Sequence, residues 1–546
     1  MTDPGPSPVT VTELLERAAA ADRGEVVIAE TGERATLPEL LAAGRMAAAE
    51  LRRAGVRPGA PVGLITDNEM VFFPAFLGIL YAGAVAVPLA IPSAMGGVEA
   101  YSEHLRRVLA DSGMRHVVAS RRCRRILVGR TPELPAGVHL VPAEELPAGE
   151  ERLVEPGGAE SLAVIQYTSG STLAPRGVML THHNVVAGLG AIGEGCALTA
   201  DDIAGLWVPL FHDMGLFSTL AALTHGLRVV LWRPATFVRR PAEWLEQFAG
   251  YGCTVTTAPN FCYDYLVDVA DSVRGDLDLS GWRLALNGAE PVNARTVELF
   301  QGTYAGRGLR PHVILPVYGM AEATLGVTFS RAGAAPDVFW LDRADALATG
   351  RVVPAAPGTP GARPLVGVGR PVRGVRVRVG GDGAPEDVFG EVEITGEPVT
   401  AGYFRRPTGE LFTADGWLRT GDQGFLHRGE LYIAGRIRNM VVIRGNNYYA
   451  EDAEAIVRDL PGVYRRRCAA VGGEDERSER LVMVVETGVE SSDQRHRLTS
   501  LIRSELSAGL GLFDIAVHLV PPQTMPRTSS GKVQRAKVRA SLPPVI

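Results

Sequence analysis

The sequence predicts a multidomain α/β protein. A large N-terminal domain of parallel α/β sheets with a small β unit would precede a small α+β C-terminal domain. Three observations carry this. At 546 residues the chain exceeds the roughly 50–250 residues that one domain occupies. Short apolar runs alternate with helical patterns through the first two thirds, which is the rhythm of parallel strands under helices. After about residue 365 the texture changes to period-two alternation between glycines, as antiparallel strands require.

The elements follow in order. Residues 11–54 are rich in Ala, Leu and Glu at helical spacing, and predict helix. "PVGLITD" (61–67) reads as a buried strand, followed by a helix over 69–83 and a strand over 84–89. From Met70 to Met95 no charge occurs, and length alone would permit a membrane span. Pro74, Pro88, Pro92, Gly78 and Gly83 interrupt it and no Lys or Arg flanks it closely, so a buried helix and strand are expected instead. "HVVAS" (116–120), "LAVIQYTSG" (162–170), "RVVLW" (228–232), "TVTTAP" (254–259), "WRLALNGAE" (282–290) and "HVILPVYG" (312–319) extend the parallel series. "PAAPGTPGARP" (354–364) reads as a surface loop of the large domain. "VRGVRVRVGG", "GEVEITG" and "GELYIAGR" supply the β unit. "VVIRGNNYYAEDAEAIVRDLPGV", "LVMVVE", a helix near 492–508 and "AVHLVP" supply the C-terminal domain, with the boundary placed between residues 438 and 439.

Composition narrows the function classes. A net charge of −6 and short, scattered Arg runs argue against a nucleic-acid partner. Five cysteines, with no C-x-x-C pair, argue against a disulfide framework or a zinc site and suit a reducing, cytoplasmic compartment. The start "MTDPGPSPVT" has neither a basic nor an apolar run, so no signal peptide is expected.

In parallel sheets ligands gather beyond the carboxyl ends of the strands, and the chemistry-rich phrases fall there. Thr168, Ser169, Ser171 and Thr172 place four hydroxyls in five residues, and Gly170 admits close approach of backbone amides to an anion. The loop is not a Walker loop: Leu173 and Arg176 stand where Gly and Lys might be expected. "LPVYGMAEATLG" (315–326) carries one acid, Glu322, and a lone carboxylate beside phosphates is a plausible Mg²⁺ ligand. Asp422 in "LRTGDQGFL" can accept from ribose hydroxyls. Lys532 in "PRTSSGKVQR" is a point charge in a small-residue loop. A Ser-nucleophile reading of "TSGST" fails for lack of G-x-S-x-G.

The ordered set YTSGST (167–172), YGMAEAT (318–324), TGD (420–422), GRIRN (435–439) and SSGK (529–532) resembles the adenylate-forming enzymes, which include acyl-CoA synthetases, peptide-synthetase adenylation domains and luciferases. "WVPLFHDMGL" (207–216), "APNFCYDY" (258–265), "WRLALNGAEPV" (282–292) and "IRGNNYYAEDAE" (443–454) are similar to the fatty acyl-AMP ligase branch in particular. Residues 336–366 look like that branch's insertion, which the resemblance associates with disfavouring coenzyme A.

The resemblance implies ATP-dependent, Mg²⁺-dependent activation of a carboxylic acid, a fatty acid first of all. The acyl-adenylate would pass to the phosphopantetheine thiol of a carrier protein. Acyl-CoA ligation, or adenylation of an aryl acid, amino acid or other oxyacid, are the alternatives. Thr168, Ser169, Gly170, Ser171 and Thr172 would hold the phosphates, with Thr172 close to the chemistry. Asn287, Gly288, Ala289, Tyr318, Gly319, Met320 and Ala321 would frame adenine. Glu322 would bind Mg²⁺, Asp422 and Arg436 would hold the ribose, and Lys532 would bridge substrate carboxylate and α-phosphate. His212 would gate or orient at the mouth of the acyl site, where a structural histidine is an equal reading. The C-terminal domain would move about Asn439, where the family carries an acid.

Overall fold

A computed structural model describes residues 10–21, 23–91, 98–130, 137–148, 157–168, 175–359, 362–443, 446–474, 479–527 and 532–542. Two large sheets dominate. The first has six strands in the order His139–Pro142, His116–Ala119, Pro61–Ile65, Val85–Pro88, Leu162–Thr168 and Arg176–Thr181. All are parallel except the last, which returns antiparallel after the hydroxyl-rich loop. The second has nine strands, and its central run from Ile314–Gly319 through Leu284–Asn287, Val255–Ala258, Ile203–Leu206 and Arg228–Leu231 to Glu25–Ile28 is parallel.

Residues 11–54, whose spacing predicts helix, are not helical throughout. Helices Val11–Ala20 and Leu37–Arg53 are separated by the antiparallel pair Glu25–Ile28 and Arg34–Thr36, which extends the edge of the second sheet. The run "EVVI" is β-branched and its Val and Ile are buried, so tertiary pairing overrides the helical neighbourhood. Both helices start on capping boxes, Thr10 with Glu13 and Thr36 with Glu39.

The uncharged segment forms the helix Phe72–Tyr81, buried at every position, and the strand Val85–Pro88. No described helix is long and apolar enough to cross a membrane. A Cβ at Gly78 would come within 2.6 Å of Ala47 Cβ, so this glycine lets the helix press against Leu37–Arg53. Buried Asn68 joins the two sheets. Its amide donates to Val208 O (3.1 Å) and Trp232 O (2.8 Å) and accepts from Leu210 N (3.0 Å). Every polar atom of a fully buried side chain is thus satisfied, which fixes the carboxyl edges of both sheets against each other.

The strands Val375–Val379, Gly390–Gly396, Leu418–His427 and Glu430–Arg436 form the expected antiparallel sheet. Beyond it the hairpin Met440–Ile443 and Asn446–Tyr449 leads to a three-stranded sheet, Cys468–Glu474, Glu479–Glu486 and Ile515–Val520, packed by helices Ala450–Val457, Ser492–Leu510 and Arg535–Ser541. The segment 354–364 is less of a free loop than its prolines suggest. Pro354 bridges to Leu341, and Ala362 opens the strand Ala362–Val366, paired with Val338–Asp342. All five cysteines are buried and free, and among the described residues no His, Cys, Asp and Glu cluster could hold a metal.

Candidate active site

The strand ends and the C-terminal region enclose one cleft of about 2000 Å³. Among its walls are Thr168, Arg176, His212, Ala289, Tyr318, Gly319, Met320, Ala321, Glu322, Asp422, Arg436 and Lys532, so sites up to 364 residues apart in sequence share it. Ser169, Gly170, Ser171 and Thr172 lie outside the described residues, as do Ser529, Ser530 and Gly531. The strands that flank the hydroxyl-rich loop are described, and they pair in register from Tyr167–Gly177 to Thr168–Arg176.

One wall is tightly paired. Asp422 and Arg436 face each other across adjacent antiparallel strands. Asp422 Oδ1 accepts from Arg436 Nε at 2.9 Å, and its Oδ2 accepts from Tyr318 Oη at 2.7 Å. Asp422 is only 3% exposed. The carboxylate in turn holds the Arg436 guanidinium above its ordinary pKa, while burial, reinforced by Asp422, pushes the Tyr318 phenol well up. Both stay protonated, so Tyr318 presents a neutral ring face for stacking.

Tyr318 ends the strand Ile314–Gly319. A Cβ at Gly319 would lie 1.9 Å from Leu325 O, so only glycine permits the turn that carries Glu322. Thr324, at φ +63°, completes that turn and is locked by donating to Asn184 O and Pro398 O, both at 3.1 Å. Glu322 Oε1 accepts from Tyr403 Oη at 2.7 Å. The Tyr403 ring lies 5.5 Å from the Arg176 guanidinium, so the arginine that replaces the expected lysine is held over an aromatic face. Asn287 is fully buried at the end of the neighbouring strand Leu284–Asn287. Its Nδ2 donates to Asn260 Oδ1 at 3.1 Å, and its Oδ1 has no partner among the described residues. Ala289 takes φ +66°, which turns the chain sharply at the cleft. Gly288 packs so close that a Cβ would meet Val317 Cγ2 at 2.7 Å.

The opposite wall is delivered by the C-terminal region. Lys532 faces the solvent of the cleft yet is crowded by protein, and this desolvation lowers its pKa. Asp213 is the largest charge opposing that shift, ahead of Glu290 and Asp422, while Arg436 adds to it. Asp213 starts the helix Asp213–Thr224 and lies 2.5 Å from His212 Nδ1. Burial would raise the Asp213 carboxyl, but His212, Lys532 and the Met214 amide together hold it below the usual range. His212 thus lies beside Asp213, the carboxylate whose charge faces Lys532.

Asn439, where the resemblance calls for an acid, donates its Nδ2 to Glu451 Oε1 at 2.6 Å. The amide keeps a contact there, whereas an aspartate would set two carboxylates together. Sequence reasoning missed three participants. Tyr403 holds Glu322, yet "AGYF" reads as any loop aromatic. Arg343 and Arg363, in the segment 336–366, reach the C-terminal region. Arg343 pairs with buried Asp452 and lies 5.2 Å from the Tyr449 ring, and Arg363 donates to Gly509 O. Burial pushes the Asp452 carboxyl up, against the pull of Arg343 and Arg363.

The chain matches the AMP-binding enzyme family over residues 15–404. It is 34% identical over 503 residues to a medium-chain-fatty-acid–[acyl-carrier-protein] ligase, JamA, of Moorena producens, covering 87% of this chain and 84% of that one. It is 33% identical over 545 residues to the long-chain-fatty-acid–AMP ligase FadD26 of Mycobacterium marinum, covering 92% and 90%. A solved structure from a study of fatty acyl-adenylate ligases of E. coli and L. pneumophila superposes with a TM-score of 0.89 at 29% identity, covering 97% of each chain.

Proposed function

The chain belongs to the AMP-binding enzymes, in their fatty acyl-AMP ligase branch, and we propose that it activates a fatty acid with ATP and passes the acyl group to a carrier-protein thiol. The observation that carries this is the convergence of Tyr318, Asp422, Arg436, Glu322 and Lys532 on one cleft. A carboxylate oxygen of the acid attacks the α-phosphorus. An O–P bond forms, the bond from phosphorus to the bridging oxygen breaks, and its electron pair leaves on pyrophosphate. The acid is already ionised near neutral pH, so no general base is required. The catalyst mainly positions two anions and offsets the charge that builds between them.

Each residue then has a task. Tyr318 stacks on adenine, within the frame of Asn287, Gly288, Ala289, Gly319, Met320 and Ala321. Asp422 accepts from the ribose hydroxyls and Arg436 fixes its carboxylate. Lys532 bridges the substrate carboxylate and the α-phosphate, and Asp213 with His212 helps to keep its ammonium charged and aimed. Thr168, Ser169, Gly170, Ser171 and Thr172 hold the leaving phosphates, with Arg176 nearby. One carboxylate, Glu322, steadied by Tyr403, fits Mg²⁺, which takes few carboxylates and completes its shell with phosphate oxygens and water. Bound there, Mg²⁺ would neutralise phosphate charge.

The domain division at 438/439 and the carrier-protein acceptor belong to the same proposal. Arg343 and Arg363 tether the C-terminal region in its docked position, which disfavours the rearrangement that a free coenzyme A would need. A screen of pyrophosphate release over fatty, aryl and amino acids, with mass-spectrometric detection of the adenylate, tests the reading. Fatty acids should give the largest signal. Preference for an aryl or amino acid would replace the substrate assignment.

A further inference from the structure

The C-terminal region meets the large domain a second time, on the helix Asn260–Asp268, far in sequence from the tether just described. Three arginines from one short stretch land there. Arg458 donates to Asp264, Arg466 pairs with Asp268 at 2.7 Å to both oxygens and lies 3.9 Å from Asp264 Oδ1, and Arg467 donates to Tyr265 Oη at 3.2 Å. Asp268 is 39% exposed at its side chain, so its pair is a surface contact. Asp264 differs: its carboxylate is 7% exposed and continues inward.

Asp264 Oδ1 accepts from Thr296 Oγ1 at 2.7 Å, and its Oδ2 accepts from Asn260 Nδ2 at 3.3 Å. Asn260 Oδ1 then accepts from Asn287 Nδ2 and from the Asn293 amide, both at 3.1 Å. Thr296, Asn260 and Asn287 are at most 2% exposed. The series ends on Asn287 Oδ1, buried and without a partner among the described residues, at the carboxyl end of a strand that borders the nucleotide cleft. In a low-dielectric interior such linked bonds polarise and align one another, and losing one member leaves the others unsatisfied.

We infer that Asp264 is a positioning residue that couples docking of the C-terminal region, through Arg458, to nucleotide recognition at Asn287. With Arg458 in place, Asp264 is charge-balanced and holds Asn260 and Thr296. Asn260 in turn turns the Asn287 amide so that its oxygen is available as an acceptor toward an amino group in the cleft, such as the one that adenine carries. Without Arg458, the buried carboxylate keeps only the more distant Arg466, at 3.9 Å, so it draws the polar groups around it and the Asn287 amide loses its fixed orientation. The coupling is reciprocal, so bound ATP favours the docked position that brings Lys532 to the cleft. The inference rests on the adenine-side assignment of Asn287 made above.

The test uses the full chain and calorimetric affinity for ATP. Arg458→Gln and Asp264→Asn should each weaken ATP about five- to tenfold, the range of a moderate coupling. The double variant should be no weaker than the weaker single, because both cut one relay. Arg458→Lys should recover most of the affinity. Asp268→Asn, which removes the exposed partner of Arg466 and leaves the Arg458–Asp264 contact in place, should leave ATP affinity within about twofold. A merely structural role would lower the melting temperature of all these variants without this pattern. Asn287→Ala separates the two layers of the argument. If it weakens ATP while Arg458→Gln and Asp264→Asn do not, the coupling is wrong and the adenine assignment stands. If Asn287→Ala leaves ATP affinity unchanged, the adenine assignment fails and the coupling with it. Should Asp264→Asn fold poorly, Arg458→Gln alone decides, since that side chain approaches from outside the large domain.

Discussion

The two walls of the cleft are built in opposite ways. On the large-domain side each carboxylate is already engaged: Asp422 by Arg436 and Tyr318, Glu322 by Tyr403. These groups sit on paired strands or on a turn that only glycine allows, so little reorganisation remains when nucleotide arrives. On the C-terminal side Lys532 is held in charge balance mainly by Asp213, a residue of the other region. The contrast teaches that binding and chemistry are divided. On the proposed function, the fixed wall would recognise ATP and the C-terminal wall would supply the charge that the transition state needs.

Removing the delivered charge should have the largest effect. Lys532→Ala should lower adenylate formation by about 10²- to 10³-fold while ATP affinity changes little. An unchanged rate of pyrophosphate release would end the role given to Lys532. The same residue predicts a pH limb. Its pKa lies below the ordinary 10.5, and the protonated form is the useful one. Activity should therefore hold below the lowered pKa and fall as pH rises through it, earlier than for a solvent lysine. Next in size is the tether. Arg343→Leu leaves Asp452 buried and unpaired, at a cost of about 3 kcal/mol to the docked position. Limited proteolysis should cut faster near residue 439, and coenzyme A should become a better acceptor. The fixed wall gives a smaller and different signature: Asp422→Asn should raise the KM for ATP about tenfold, with a lesser effect on kcat. The smallest change is Asn439→Asp, which places a carboxylate against Glu451 within the C-terminal region and should destabilise that region by about 1 kcal/mol, seen as a modest rise in proteolysis.

Much of this was legible beforehand because the fixed wall is written in short, local phrases. The strand ends at Tyr318 and Asp422 carry their chemistry within a few residues, and period-two alternation places Asp422 and Arg436 on facing strands. The delivered wall was legible only as a lysine in a small-residue loop. The sequence places Asp213 with His212 at the mouth of the acyl site but not against the lysine, and Arg343 and Asp452 make a long-range contact between residues that look like ordinary surface charges. The same holds for Asp264, whose phrase "APNFCYDY" carries the family resemblance without pointing to a role for this acid. The strand pair inside residues 11–54 was missed for a related reason: "EVVI" is too short for periodicity to outweigh the alanine-rich helices around it, and only pairing with Arg228–Leu231 makes it a strand.

The most direct measurement gives the intact protein ATP, Mg²⁺, a fatty acid and equal concentrations of coenzyme A and a phosphopantetheinylated carrier protein, and follows the products by mass spectrometry. The account predicts acyl-adenylate and pyrophosphate first, then acyl carrier protein, with little acyl-CoA. Abundant acyl-CoA from the intact chain, or no adenylate with any fatty acid, would contradict it.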